Sequence, residues 1–245
     1  MPSGKITINA VKYALEVGYR HIDTAKIYGN ESDVGKAIKE SNLRREDIFI
    51  TTKVWNSDQG YDSTLKAFDS SIKRLGLSYV DLYLIHWPVE KKITDTWNAM
   101  TQLLKNHKVR AIGISNYSVN EINETIHNSD IIPAINQVEF HPFLYHKELL
   151  EFCKKNSIQV EAYSPLTRGK RLKDHDLIEM ARKYNKTPAQ MLVRWSLQHD
   201  LVVIPKSSHE ERILENSQVF DFNIDQKDMS ILDSLNENLR TVFSD

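Results

Sequence analysis

Along this chain the spacing of apolar residues switches between the period of a helix and the period of a strand, and the switching runs from one end to the other. Ile8, Val11, Ala14 and Leu15 share one helical face within 6–17, and Gly18 stands where such a helix stops. A strand over 19–23 comes next, then a helix over 31–40 and a strand over 48–54. The pattern continues as helix 62–75, strand 80–86, helix 94–105, strand 109–115, helix 118–127, strand 134–138, helix 146–155 and strand 158–163. Helices over 174–184 and 188–198 follow, the second opened by Thr187 as cap and Pro188 as first helical residue. Strand 201–205 and helices 209–217 and 225–235 complete the series. Strict alternation predicts a parallel sheet with helices outside it. The count is seven strands, one short of a closed (β/α)8 barrel, and the series opens on a helix. With 245 residues and no linker, repeat or low-complexity tract, a single domain over 1–245 is expected.

Composition narrows the function. Lysine and arginine number 32 against 33 acids, interspersed rather than blocked, so there is no electrostatic footprint for nucleic acid or a membrane surface. One cysteine, Cys153, rules out an internal disulfide, suits a reducing compartment and falls on the apolar face of a helix. No stretch has the length of a membrane span, and the first residues lack the apolar segment of a signal peptide, so a cytoplasmic location is expected. The histidines are scattered without H-x-H or H-E-x-x-H spacing, and no metal site is expected.

Seven strands end on a polar residue: Asp23, Lys53, His86, Asn116, Gln137, Tyr163 and Lys206. Strand tips are where alternating α/β folds keep their chemistry. By period two, Leu82, Leu84 and His86 share a face, as do Thr51 and Lys53, and His21 and Asp23. A buried lysine needs an anion and a buried aspartate a cation, and neighbouring strands would pair Lys53 with Asp23. A structural ion pair would account for those two alone. Tyr28, five residues beyond Asp23, adds a phenol. An ammonium about 4 Å away would favour the phenolate by roughly 4 kcal/mol before desolvation offsets it. On that ground Tyr28 is expected to be a proton donor of lowered pKa, and His86, if neutral, could donate a hydrogen bond that places a substrate carbonyl. In IPKSSHEER, Lys206, Ser207 and Arg212 at a helix start suit a phosphate, although a capping serine beside surface cations explains that segment equally well. Tyr163 could stack on an aromatic ring, and Ser115, Asn116 and Gln137 offer partners for a carboxamide. Neither G-x-G-x-x-G nor a P-loop is present, so a dinucleotide would not be held in Rossmann fashion.

GYRHIDTA-x5-E-x2-VG over 18–35 and IPKS-x4-R-x2-EN over 204–216 resemble the aldo-keto reductases closely, and TTKVW, LIHWP, GISNY, NQVEFHP and YSPL lie between them in family order. The resemblance spans the whole chain. It implies an α/β fold, a (β/α)8 TIM barrel, left incomplete because the usual N-terminal hairpin and first barrel strand are missing. It implies NADPH as cofactor and reduction of aldehydes or ketones to alcohols, with Asp23, Tyr28, Lys53 and His86 as the catalytic tetrad and Tyr28 as general acid. Ser115, Asn116 and Gln137 would bind the carboxamide, Tyr163 would stack on the nicotinamide, and Ser164 and Leu166 would line the pyrophosphate path. Lys206, Ser207 and Arg212 would hold the 2′-phosphate, Glu215 and Asn216 the adenine. Trp55 and Trp87 would wall the substrate pocket. Short segments over 167–173 and 239–245 imply an open pocket and broad specificity. Partners are then a small carbonyl substrate and no macromolecule, with a monomer expected unless open strand edges associate. The absent strand leaves one alternative, a non-catalytic or truncated NADPH-binding relative.

Overall fold

The structure is a computed structural model and describes residues 3–242. By its internal contacts the chain divides into two compact units, 1–136 and 137–245.

In the first unit, helix α1 (Lys5–Glu16) leads to β1 (His21–Asp23), α2 (Glu31–Glu40), β2 (Phe49–Val54), α3 (Tyr61–Leu75), β3 (Val80–Ile85), α4 (Ile93–Lys105), β4 (Val109–Ser115) and α5 (Val119–His127). β1 to β4 lie side by side in chain order, all parallel, with Asp23 opposite Thr51, Lys53 opposite Leu84, and Leu84 opposite Gly113. Parallel strands are covered on both faces and therefore read as near-continuous apolar runs. Every residue of β3 is buried. Its alternation is the expected one, for Tyr83 turns to α3 and meets the Phe68 ring at 5.1 Å. α2 and α3 approach so closely at Gly35 that a Cβ there would stand 2.0 Å from the Leu75 carbonyl oxygen. Near the N-terminal ends of the strands, buried Asp81 accepts from Arg45 at 2.6 Å, Arg110 at 3.0 Å and the Ile50 amide at 2.9 Å.

β5 (Ile135–Glu139) carries the boundary between the units. In the second unit α6 (Lys147–Lys155), β6 (Gln159–Tyr163), α7 (His175–Lys183), α8 (Pro188–Gln198), β7 (Val202–Val203), α9 (Glu210–Ser217) and α10 (Gln226–Asp233) follow. β6 and β7 are parallel, Glu161 opposite Val202. Thr187 opens α8 as expected, its hydroxyl accepting from the Gln190 amide at 3.2 Å while Gln190 answers the Thr187 amide at 3.0 Å. Phe140, Tyr145 and Trp195 form an aromatic cluster, and the Trp195 indole donates to Asp233 at 2.8 Å. Buried Glu139 holds the last described segment, accepting from the Thr241 amide at 2.9 Å, the Val242 amide at 3.1 Å and the Thr241 hydroxyl.

Two expectations need correction. The strand expected over 201–205 has only two residues, since Pro205 has no amide hydrogen to extend a ladder. Gln137 lies in the middle of β5 rather than at its tip. Four short 3₁₀ turns, over 26–28, 45–47, 56–58 and 167–169, were not anticipated. Part of the short tail, 243–245, lies outside the described residues. Cys153 is buried in α6, as its helical face implied. Among the described residues no helix is long and apolar enough to cross a membrane.

Candidate active site

Parallel register sets the first pair. Asp23 closes β1, and Lys53 is the next-to-last residue of the neighbouring β2. The Lys53 side chain is fully buried, and its Nζ donates to both Asp23 carboxylate oxygens, at 2.6 and 2.7 Å, and to the Thr24 carbonyl at 3.0 Å. A desolvated ammonium is tolerated only when so completely answered.

Tyr28 ends the 3₁₀ turn 26–28, and Gly29 after it takes a left-handed conformation at φ 64°, which glycine adopts without strain. The Lys53 ammonium lies 5.3 Å from the centre of the Tyr28 ring. Burial of the phenol raises its pKa more than Lys53, by charge and hydrogen bond, lowers it, and Asp23 adds to the rise. The balance therefore runs opposite to the lowering expected from Lys53 alone, because burial outweighs the ammonium and the Asp23 carboxylate that anchors it also cancels part of its field. At neutral pH Tyr28 is a protonated phenol with a cation beside it. Such a group holds its proton at rest, and the anion formed on losing it would be stabilised by Lys53.

His86 follows directly on β3 and is 8% exposed. Burial first and the Lys53 charge second push its pKa down to about 3, so the ring is neutral at neutral pH. Its Nδ1 is buried without a hydrogen-bond partner among the described residues. The ring stands edge-on between two others, Tyr28 with centres 5.6 Å apart and Trp55 at 5.1 Å. Trp87 is half-buried, its carbonyl accepting from Gln59 at 2.7 Å. Ser115 ends β4. Asn116 just beyond it, at φ 63°, donates through Nδ2 to the His86 carbonyl and to Ser115 Oγ, each at 3.0 Å. Asp23, Tyr28, Lys53, His86 and Trp55 are thus brought together, with Asn116 bracing the His86 backbone.

In the second unit, Gln137 donates to buried Glu161 at 2.6 Å, and Tyr163 ends β6. Ser164, half-buried at φ 49°, begins a segment in which Thr167 and Arg168 also take left-handed conformations, and Leu166 within it is half-buried. Strain at non-glycine residues concentrates where a chain must follow a prescribed path. Lys206 and Arg212 are exposed and enter no ion pair among the described residues. Ser207 accepts from the His209 amide at 3.1 Å. α9 starts only at Glu210, with Glu210 and Glu211 in its first turn. Those acids disfavour an anion at the helix end itself, so attraction for a phosphate rests on the two cationic side chains. Glu215 accepts from the Thr187 hydroxyl, and Asn216 is buried. Sequence reasoning did not find Lys26, Asp58 or Glu139. Lys26 forms an ion pair with Asp58, 32 positions away, and nothing in their local patterns announces it. In the first unit, a protonated phenol beside an ammonium and a neutral imidazole suit a carbonyl; in the second, two exposed cations without an ion pair among the described residues suit a phosphate. Among the described residues, no group of three or more His, Cys, Asp and Glu is arranged to hold a metal.

The model of the family described as "Aldo/keto reductase family" matches residues 5–237. The chain is 52% identical over 238 residues to glyoxal reductase of Bacillus subtilis (strain 168), covering 97% of this chain and 86% of the relative. Among solved structures, an aldo-keto reductase from a Medee basin deep-sea metagenome library is similar at a TM-score of 0.96 and 47% identity, over 99% of this chain and 91% of that one. The Bombyx mori aldo-keto reductase in complex with NADP is similar at a TM-score of 0.93 and 35% identity, over 99% and 87%. Likeness of that extent assigns the α/β fold of the (β/α)8 class, carried by seven strands among the described residues.

Proposed function

The chain belongs to the aldo/keto reductase family and is an NADP-dependent oxidoreductase, and from that premise we propose that it reduces small aldehydes and dicarbonyls, the class that contains glyoxal, with Tyr28 as general acid. NADPH, when bound, supplies the hydride to the carbonyl carbon. Tyr28 gives its phenolic proton to the carbonyl oxygen, which takes the π electron pair, and the product is an alcohol. The phenolate left behind is stabilised by Lys53, which Asp23 holds charged and in place. Neutral His86 serves as a hydrogen-bonding group that orients the carbonyl, and Trp55 and Trp87 bound the substrate.

For the cofactor, Lys206, Arg212 and Ser207 hold the 2′-phosphate, and Glu215 and Asn216 face the adenine. Ser164 and Leu166 follow the pyrophosphate, Tyr163 stacks on the nicotinamide, and Ser115, Asn116 and Gln137 meet its carboxamide. Asn116 also donates through Nδ2 to the His86 carbonyl and to Ser115 Oγ, which ties this carboxamide-binding residue to the His86 backbone. The protein is taken to be cytoplasmic and to act as a monomer.

One observation carries the reading: a fully buried ammonium, bonded to both carboxylate oxygens of Asp23, set against the ring of a phenol. Positioned proton transfer contributes about 100-fold or more. Replacing Tyr28 by Phe should therefore lower turnover of an aldehyde by at least about 100-fold while NADPH still quenches tryptophan fluorescence with unchanged affinity. Turnover near the parent level would remove Tyr28 from the mechanism.

A further inference from the structure

The turn that carries Tyr28 is short, and its own backbone bonds are local, Tyr28 to the Ala25 carbonyl and Gly29 to the Lys26 carbonyl, both at 3.1 Å. Besides the contacts of Tyr28 itself, its side-chain bond to a distant segment among the described residues runs from Lys26 to Asp58. Asp58 ends a second 3₁₀ turn, which begins directly after Trp55. That turn is itself pinned, the Asp58 amide donating to the Trp55 carbonyl at 2.9 Å and Thr64 donating to the Asp58 carbonyl at 3.3 Å. Ser57 adds a hydroxyl 3.3 Å from the Asp58 carboxylate. The ion pair thus joins the turn bearing the phenol to the turn that directly follows Trp55, and the imidazole of His86 lies edge-on to both the Tyr28 and Trp55 rings.

We propose that Lys26 and Asp58 are positioning residues that fix the Tyr28 hydroxyl for proton delivery; the proposal rests on Tyr28 being the proton donor. Both side chains are partly solvated, 36% and 22% exposed. An ion pair in that setting adds little to global stability. It can still hold a three-residue turn in one place, and small displacements of a reacting group cost far more in rate than in folding. The consequence is a separation: loss of the bridge lowers turnover while leaving the fold and cofactor affinity unchanged.

Asp58→Asn and Lys26→Met test this. Each should lower kcat for an aldehyde by about 10-fold, with Tm changed by less than about 2 °C. The dissociation constant for NADPH should stay the same, and the solvent deuterium isotope effect on kcat should rise as proton transfer becomes slower. Lys26→Arg should retain most of the activity, since it preserves the charge. Turnover within about twofold of the parent in both single variants, against the loss expected for a displaced donor, would overturn the proposal. So would a loss that tracks a fall in Tm and is not restored by Lys26→Arg. Tyr28→Phe measured alongside separates the two ideas. If that variant stays active, the proton-donor reading itself fails; if it is inactive while the bridge variants are normal, only the bridge fails.

Discussion

At residue scale, His86 shows how one environment sets both charge and stability. Burial and the Lys53 ammonium push its pKa down to about 3 from an ordinary 6.5. The unfolded chain therefore takes up a proton at this residue as pH falls through about 6.5, whereas the folded chain does not until about pH 3. Its contribution to stability is complete above that window and declines as pH drops through it. His86→Gln should make the dependence of unfolding free energy on pH shallower by about one proton between pH 6.5 and 4.5, measured by urea titration. Its ring also stays neutral across the neutral range, so an acid limb in the pH–rate profile near pH 6 would have to come from another group. Much of this residue set was legible from period-two spacing, which put Asp23, Lys53 and His86 at strand tips. The direction of the Tyr28 shift was not legible. It depends on how far the phenol is withdrawn from water and on Asp23 opposing Lys53, quantities that exist only once three segments have met. Lys26 and Asp58 were invisible for the same reason: a pair across 32 positions leaves no local signature.

At the scale of elements, helices and strands were read to within a residue or two wherever apolar periodicity was strong, as in α2, α8 and β4. Turns of three residues have no period to detect, and two of them carry Tyr28 and Asp58. β5 offers a prediction. Burial alone would raise the Glu139 pKa, but hydrogen bonds from His141, from the Thr241 hydroxyl and from the Thr241 and Val242 amides outweigh it and lower the value from 4.5. A depressed carboxyl stabilises the fold above its unfolded pKa and ceases to as pH falls through its folded one. Glu139→Gln should therefore cost about 1–3 kcal/mol at pH 7, a charge-assisted acceptor being lost, with the deficit shrinking below about pH 4. Urea unfolding at pH 7 and at about pH 3 gives both numbers.

For the molecule as a whole, the family match runs unbroken from residue 5 to 237, across the boundary between the two compact units. We therefore propose that both units unfold together as one domain. Calorimetry should show a single transition, and NADPH at 100 times its dissociation constant should stabilise it by about 2.7 kcal/mol. Two separated transitions, only one of them shifted by NADPH, would refute this. Fold class was readable because alternation of strand and helix is a property of the entire chain and survives errors at any single boundary.

The lone cysteine has a practical consequence at this scale. Cys153 is fully shielded within α6, so a thiol-directed dye is excluded from the native molecule and admitted only when that helix opens. Labelling then works as a clock: its rate under native conditions counts how often the second unit breathes, with no engineered reporter required.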